Sequence, residues 1–477
     1  MPSQLWKQFS GQWTVTQAAQ AKGAGTWPAI PGAPTIGTAT AGVGEVSVAF
    51  TAPANTGYPT TLTYEVTSSP DSITASGSAS PIVVTGLTNG TEYTFTVTAT
   101  NDTGTGPASA ASNGATPIAA GYLYGIGRND QGQLGQGDRA DYSSPVQVGS
   151  DSTWMEVTGG AYATLGVKTN GTLWGMGEGQ YGQNGSPTRA DLLTFTQIGA
   201  LTSWVKGTNG NQCSGAIRSN GSLYAWGLGS KGTLGNNNAI SRSSPVQVGA
   251  STDWADFDMA QGGAMMIAVK TDGTLWSWGS SYWGQMGVNI SGVSAYRSSP
   301  IQVGGLTNWA EVQAGADFWV ALKTDGTLWS CGGNFQGALG LGLNPTVHRS
   351  SPVQIGSDTD WYKINAKNEA WFAIKTDGTL WGCGSDSGGA MGQNSPGSNK
   401  SSPVQIGALT NWAEVGHAKA VKTDGTLWAW GKNDDDGNVG QNNVINYSSP
   451  VQVGSQTTWL KVEGYWNTTL AINSVGT

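Results

Sequence analysis

The chain has 477 residues, of which only 11% are charged and 73 are glycine, and its formal net charge is −8. That length suffices for two cores, and sparse charge with abundant glycine suits extracellular or particle-borne β-structure better than a cytosolic enzyme. The acidic balance disfavours a nucleic-acid partner, and no stretch reads as a membrane span or as the charged start and apolar run of a signal peptide.

Residues 1–30 space Trp6, Trp13 and Trp27 among polar residues and glycines, with Trp13 and Val15 alternating as in a short strand. Tryptophans are costly to leave in water, so the segment is expected to dock, adding a strand or inserting its aromatics into another protein. The bland alternative is a frayed terminus. The run resembles the Trp-rich leaders of phage tail and appendage proteins, which implies other virion proteins as partners.

Residues 31–118 read as a β-sandwich. Val46, Val48 and Phe50 alternate, as do Leu62, Tyr64 and Val66, and the stretch closes with LTNGTEYTFTVTATN from Leu87 to Asn101. Period-two alternation punctuated by Pro, Gly and Asn is the strand signal. The L..GT.Y.F.V.A.N segment resembles a fibronectin type III domain, with Tyr93 in the tyrosine-corner position and Phe50 where that family often has tryptophan. The resemblance implies a spacer or adhesion module, and it supplies no ligand.

From Gly121 onward one strand is written seven times, as GYLYGIG, GTLWGMG, GSLYAWG, GTLWSWG, GTLWSCG, GTLWGCG and GTLWAWG, at spacings of 50, 50, 52, 53, 52 and 47 residues. An SSPVQVG-like strand follows at Ser143, Ser243, Ser298, Ser350, Ser401 and Ser448, with Phe195 to Gly199 as a worn copy. Each is followed by a tryptophan and by an apolar strand ending at an Asn-Gly or Asp-Gly turn, which predicts a type I′ hairpin. Four strands per unit of this length make a propeller blade. The last unit ends at Gly476-Thr477 in the phase with which the first begins at Gly121-Tyr122. Residues 121–149 are therefore expected to complete the sheet begun by 459–477. The reading is all-β: residues 119–477 form a seven-bladed β-propeller, closed so that no sheet edge is left free.

The pattern W…V…ALKTDGTLWSWG…GQ.G…SSPVQVG resembles the regulator of chromosome condensation repeat family in its bacterial and viral form. One departure stands out. The family's usual histidine, near the start of the strand before the turn, is replaced by Ala163, Cys213, Met265, Phe318, Ala370 and Thr468. The eukaryotic namesake exchanges nucleotide on a small GTPase and binds chromatin; the net charge argues against that activity here.

Little in the chain points to chemistry. His348 and His417 are the two histidines, and neither sits in a metal-ligand or triad pattern. Asp434-Asp435-Asp436-Gly437 reads as a solvated turn, its spacing unlike a calcium loop. Cys213, Cys331 and Cys383 are odd in number and read as packing residues. No cofactor, metal or enzymatic activity is expected.

Binding is expected where the copies disagree. Tyr181, Tyr282, Trp283 and Phe335 put aromatics in the turn after the GTLW strand, and Trp319 and Trp371 stand where other copies hold Thr164, Ser214, Met266 and Thr469. Exposed aromatics beside Asn, Gln and Asp suit sugar faces, whereas Trp319 and Trp371 have the alternative of packing between blades. Lys168, Arg218, Lys270, Lys323, Lys375 and Lys422 put one cation before each hairpin, as a rim attracting phosphate-bearing glycans or as solvated turn residues.

The whole is read as a phage virion protein, a tail fibre or baseplate appendage assembled in the host cytoplasm. Its N-terminus docks, the sandwich spaces, and the propeller recognises host-surface polysaccharide or receptor. The alternatives are a purely structural capsid decoration or head fibre, and a bacterial propeller that binds or inhibits another protein.

Overall fold

The computed structural model describes residues 14–24, 27–261, 265–394, 396–433, 436–465 and 467–476. Trp6 and Trp13 of the expected docking arm, and Asp434 and Asp435, lie outside these residues. The chain divides into two compact units, residues 1–119 and 120–477.

In the first unit Val15–Gly23 is an α-helix, where the sequence suggested a strand. The reason is local. Thr14 Oγ1 accepts from the Gln17 amide and the Gln17 side chain accepts from the Thr14 amide, a capping box, and alanines at 18, 19 and 21 favour the helix that follows. The sandwich packs the sheet Thr35–Ala41, Glu45–Thr51, Ile82–Thr85 against one ordered Thr74–Gly77, Thr63–Ser69, Thr94–Asn101, Gly104–Thr105. Val46, Val48, Val66, Val84 and Val97 are fully buried between them. Tyr93 is buried, accepts from the Thr88 amide at 3.2 Å and donates to Asp71 at 2.8 Å, so its hydroxyl ties the corner back to the chain upstream. Phe50 packs on Tyr64 with ring centroids 4.7 Å apart.

The second unit consists of seven four-stranded antiparallel sheets. Blades 1 to 6 open with strands Trp154–Gly159, Trp204–Asn209, Trp254–Met259, Trp309–Ala314, Trp361–Lys367 and Trp412–Gly416. Blade 7 is composite: Trp459–Tyr465 and Thr468–Asn473 supply its first two strands, and Tyr122–Gly127 and Tyr142–Gln147 its outer two. Each blade's first strand touches the first strand of the next, and that of blade 7 touches that of blade 1. The ring is closed by pairing of the first and last segments of the propeller, Thr468 to Asn473 against Gly127 to Tyr122.

The repeated DGTLW segment is a hydrogen-bond relay. In blade 4, Asp325 accepts from the Thr327 amide at 3.0 Å and hydroxyl at 2.6 Å, and Thr327 Oγ1 accepts from Trp329 Nε1 at 2.9 Å. Among the central residues of this turn only Gly326 has a positive φ, +75°, while Lys323 N donates to Thr327 O. The hairpin is thus a three-residue loop ending in a glycine bulge, not the type I′ turn expected from Asp-Gly. A Cβ on Gly326 would stand 2.1 Å from Thr359 O, which leaves glycine as the residue that fits.

The relay fixes each third-strand tryptophan beside the first-strand one, and a lysine lies against both. Lys323 Nζ is 4.7 Å from the ring centroid of Trp309 and 3.8 Å from that of Trp329. Lys168, Lys270, Lys375 and Lys422 repeat the arrangement. Blades 2 and 7 carry Tyr224 and Tyr124 in place of the third-strand tryptophan, and there the lysine position holds Arg218 and Asn473. Lysine occurs where the ring is tryptophan, the strongest aromatic partner for a cation.

Candidate binding face

One end of the ring gathers every loop between first and second strands and every loop between third and fourth. Tyr181, Tyr282, Trp283 and Phe335 all lie there, in third-to-fourth loops. The structure brings three of them together. Trp283 of blade 3 meets Tyr282 at 4.5 Å, Phe335 of blade 4 at 4.9 Å and His348 of blade 4 at 4.8 Å between ring centroids. Tyr282, Trp283 and His348 border a cleft of about 390 Å³ that also takes in Val293 and Ser350, with Phe335 packed behind Trp283 and His348. Tyr282 is 40% exposed and Val293 81%.

His348 joins this cluster although the sequence shows it only as a histidine outside any metal-ligand or triad pattern. Its blade-equivalents are Asp141, Asp191, Ser241, Asn399 and Asn446, and each accepts the amide that opens its own loop. His348 Nδ1 does the same for Asn334 at 2.9 Å, so the neutral ring carries its proton on Nε2. Tyr181 stays apart, in a separate cleft of about 190 Å³ with Tyr162, Glu178, Asn211 and Gln261. Burial, then Asp191 and Asp130, push the Glu178 carboxyl above its ordinary range.

Trp319 and Trp371 do not belong to a ligand site. Both are fully buried, and each indole donates to a carbonyl of the preceding blade, Trp319 to Gln285 at 2.7 Å and Trp371 to Ala338 at 3.0 Å. The same joint is made from the third strand by Trp226, Trp278 and Trp430, and by the hydroxyls of Thr164 and Thr469 in blades 1 and 7. Each blade therefore sends at least one side-chain donor to the equivalent carbonyl of its predecessor, and in blade 2 the Ser214 hydroxyl joins Trp226 on Gln183 O. The cation rim is corrected likewise. Lys168, Lys323, Lys375 and Lys422 are buried against tryptophans, and Lys168 and Lys375 also pair with Asp151 and Asp358 at 2.7 Å. They hold the blade and do not face a glycan.

The axis holds a pattern that the sequence displayed and that was not read from it. Two residues after each first-strand tryptophan stand Glu156, Lys206, Asp256, Glu311, Lys363, Glu414 and Lys461, one charge per blade. Neighbours pair around the ring as Lys206 with Asp256, Lys363 with Glu414, and Lys461 with Glu156. An odd ring cannot alternate throughout, and the misfit falls on Glu311 beside Asp256. Burial, then the Asp256 charge, push its carboxyl up to about 8. Asp256 and Asp258 turn sideways and accept the Val312 and Ala314 amides of blade 4, each at 2.9 Å, satisfying an inner edge. Asp258 also meets Thr208 at 2.6 Å and Lys367 at 3.7 Å, so this layer is crossed by polar contacts.

Among the described residues no group of three or more His, Cys, Asp or Glu is placed to hold a metal ion. Burial pushes the Cys213 thiol up to about 12 and raises Cys331 and Cys383 as well; all three are free and buried. Trp27 is 39% exposed in the first unit.

Comparison with known proteins agrees with this geometry. The Regulator of chromosome condensation (RCC1) repeat description matches residues 120–167, 220–266 and 272–322, and the Fibronectin type III domain description matches residues 32–115. The chain is 32% identical to human Protein RCC2 over 137 residues, and 30% identical to human Probable E3 ubiquitin-protein ligase HERC6 over 151. Those matches take up 28% and 30% of this chain and only 26% and 14% of the relatives. Among solved structures, Prp20p from Saccharomyces cerevisiae, described with its binding properties to Gsp1p and histones, superposes with TM-score 0.66 at 18% identity. It covers 75% of this chain and 92% of its own. Human WBSCR16 superposes with TM-score 0.65 at 17% identity, over 75% of this chain and all of its own. At such identities the likeness is one of fold.

Proposed function

We propose that this chain, a fibronectin type III domain followed by a propeller of regulator of chromosome condensation (RCC1) repeats, is a protein-binding module. Its contact surface is the loop face of blades 3 and 4. The observation that carries the reading is the cluster of Tyr282, Trp283 and His348, drawn from two blades around one open cleft and backed by Phe335. Contiguous exposed apolar surface marks interaction sites, and aromatic anchors dominate their energetics. The exposed Val293 extends the patch beyond the stacking of one sugar on one ring. Yeast Prp20p, which has this fold, is described as binding Gsp1p and histones.

The test is quantitative affinity capture with the intact chain and with a Tyr282→Ala/Trp283→Ala variant. A protein retained by the first and lost by the second supports the reading. Retention by both, or binding of the intact chain to an array of polysaccharides alone, would replace it.

The virion setting is a second reading, favoured by the exposure of Trp27 and by the extracellular-type composition. Mass spectrometry of purified particles tests it, together with deletion of residues 1–30, which should abolish incorporation.

A further inference from the structure

Blade 6 is cut short between its first and second strands. Trp412 and Lys422 are 10 positions apart, where Trp309 and Lys323, or Trp361 and Lys375, are 14 apart. Strands Trp412–Gly416 and Lys419–Lys422 are joined by His417 and Ala418 alone, with Ala418 at φ 54°. Other blades project a longer turn here. The missing turn leaves a cavity of about 180 Å³ on the loop face, walled by Ala370, Ala390, Ala418 and Trp430.

Lys419 lines this cavity at a position that is otherwise apolar. It pairs with Ala429, in the register of Leu165, Ile267, Val320, Phe372 and Leu470, all buried. Lys419 is 2% exposed and forms no ion pair among the described residues. Burial pulls its amine down to about 7. His417 lines the same cavity at 7% exposure, and its Nδ1 has no hydrogen-bond partner. A buried cation costs free energy unless something pairs with it. A lysine placed where five blades hold aliphatic or aromatic side chains and blade 2 holds Gly215, at the wall of an open cavity, lacks a counterion among the described residues.

We propose that this notch binds a carboxylate on a short apolar stem, with the carboxylate on Lys419 Nζ and the stem against Ala390 and Trp430. The cavity is several times the roughly 30 Å³ that one water occupies, enough for such a group. Lys419 is the buried cation of a lining that also holds the half-buried Lys432 and the hydroxyls of Ser385 and Ser387, and a single buried cation suits a monoanion. Glu369, which also lines the cavity, disfavours a more highly charged phosphate. The carboxylate could be that of a free small acid or of a glutamate side chain, and the two are separable. The site is independent of the aromatic cluster on blades 3 and 4.

The test is calorimetric titration of the full chain with propionate, with a capped Ala-Glu-Ala peptide and with propionamide. Propionate is expected to bind and the neutral amide to bind about tenfold more weakly or not at all. Peptide binding as tight as that of propionate, or tighter, assigns the site to protein side chains; binding of propionate alone assigns it to free acids. Lys419→Leu restores the apolar register, so it should fold with a raised melting temperature and lose carboxylate binding, while Lys231→Ala retains it. Absence of carboxylate binding at about 50 mM, equal binding of propionamide, or undiminished binding by a folded Lys419→Leu protein would overturn the proposal.

Discussion

Trp319 faces Cys331 across the second and third strands of blade 4, and its indole reaches back 2.7 Å to Gln285 of blade 3. In blade 3 the bulk is reversed. Met266 faces Trp278, and Trp278 makes the corresponding bond to Thr233 at 2.8 Å. One large ring fills each of these joints from either strand, and its N–H reaches the same backbone acceptor.

Trp319→Ala should therefore destabilise the propeller by about 3–5 kcal/mol, through a cavity and an orphaned carbonyl. The exchange Trp319→Met with Cys331→Trp should recover much of that loss. Denaturant unfolding of the three proteins checks it. A swap no more stable than Trp319→Ala would show that the two strand positions are not equivalent.

Lys323 lies against Trp309 and Trp329, and burial lowers its amine with only Asp325 opposing. Lys323→Met keeps the apolar stem and removes the charge, and should cost about 1 kcal/mol if the cation–π contact is what selects lysine here. Trp329→Tyr in the same protein should then cost little more. Equal midpoints for wild type and Lys323→Met would mean that the stem alone matters.

Much of this fold was legible because a repeat written seven times averages out local ambiguity. Seven strands in phase, with complementary half-blades at the two ends, specify the architecture. The turn type was misread because Asp-Gly suggests two positive φ angles, while Asp325 instead bonds forward to Thr327 and leaves only Gly326 positive. For Trp319 and Trp371 the sequence leaves a ligand role and packing between blades both open, and the structure decides for packing, because in a repeat two strands can trade bulk without changing the joint. The N-terminal helix was hidden behind tryptophan spacing, with the Thr14–Gln17 box as the overlooked signal. Within the binding face, Trp283 and Phe335 stand out as departures from the repeat, whereas their contact depends on how the loops of adjacent blades 3 and 4 pack.

Glu311 makes the stability depend on pH. Its carboxyl is raised in the folded chain to about 8, so the folded state holds a proton that the unfolded state has released above the ordinary carboxylate range near 4.5. Its contribution is whole below about 4.5, declines through the interval and is lost above about 8. Glu463, raised to about 7 mainly by burial, declines over the lower part of the same window. Glu311→Gln should match wild type near pH 4 and exceed it at pH 9 by about 1–3 kcal/mol, a range set below the full shift to allow for water in the channel. Melting curves at the two pH values check this. A constant difference would place the like-charge contact with Asp256 elsewhere.

The aromatic cluster predicts selective loss of binding without loss of fold. Tyr282 is 40% exposed, so Tyr282→Ala should change stability by under about 1 kcal/mol, yet weaken a partner at least about tenfold if it is an interface anchor. Circular dichroism and binding on the same preparation separate the two effects.

The most direct measurement is photocrosslinking in the native host, with benzoylphenylalanine placed at Tyr282 or at Leu306. Both side chains are exposed, and Leu306 follows the fourth strand of the same blade, at the opposite end of the ring. A discrete polypeptide captured from position 282, absent from position 306 and lost with Trp283→Ala, is the result predicted for a protein-binding loop face. Capture from position 306 alone, or capture from position 282 that is indifferent to Trp283→Ala, would contradict it.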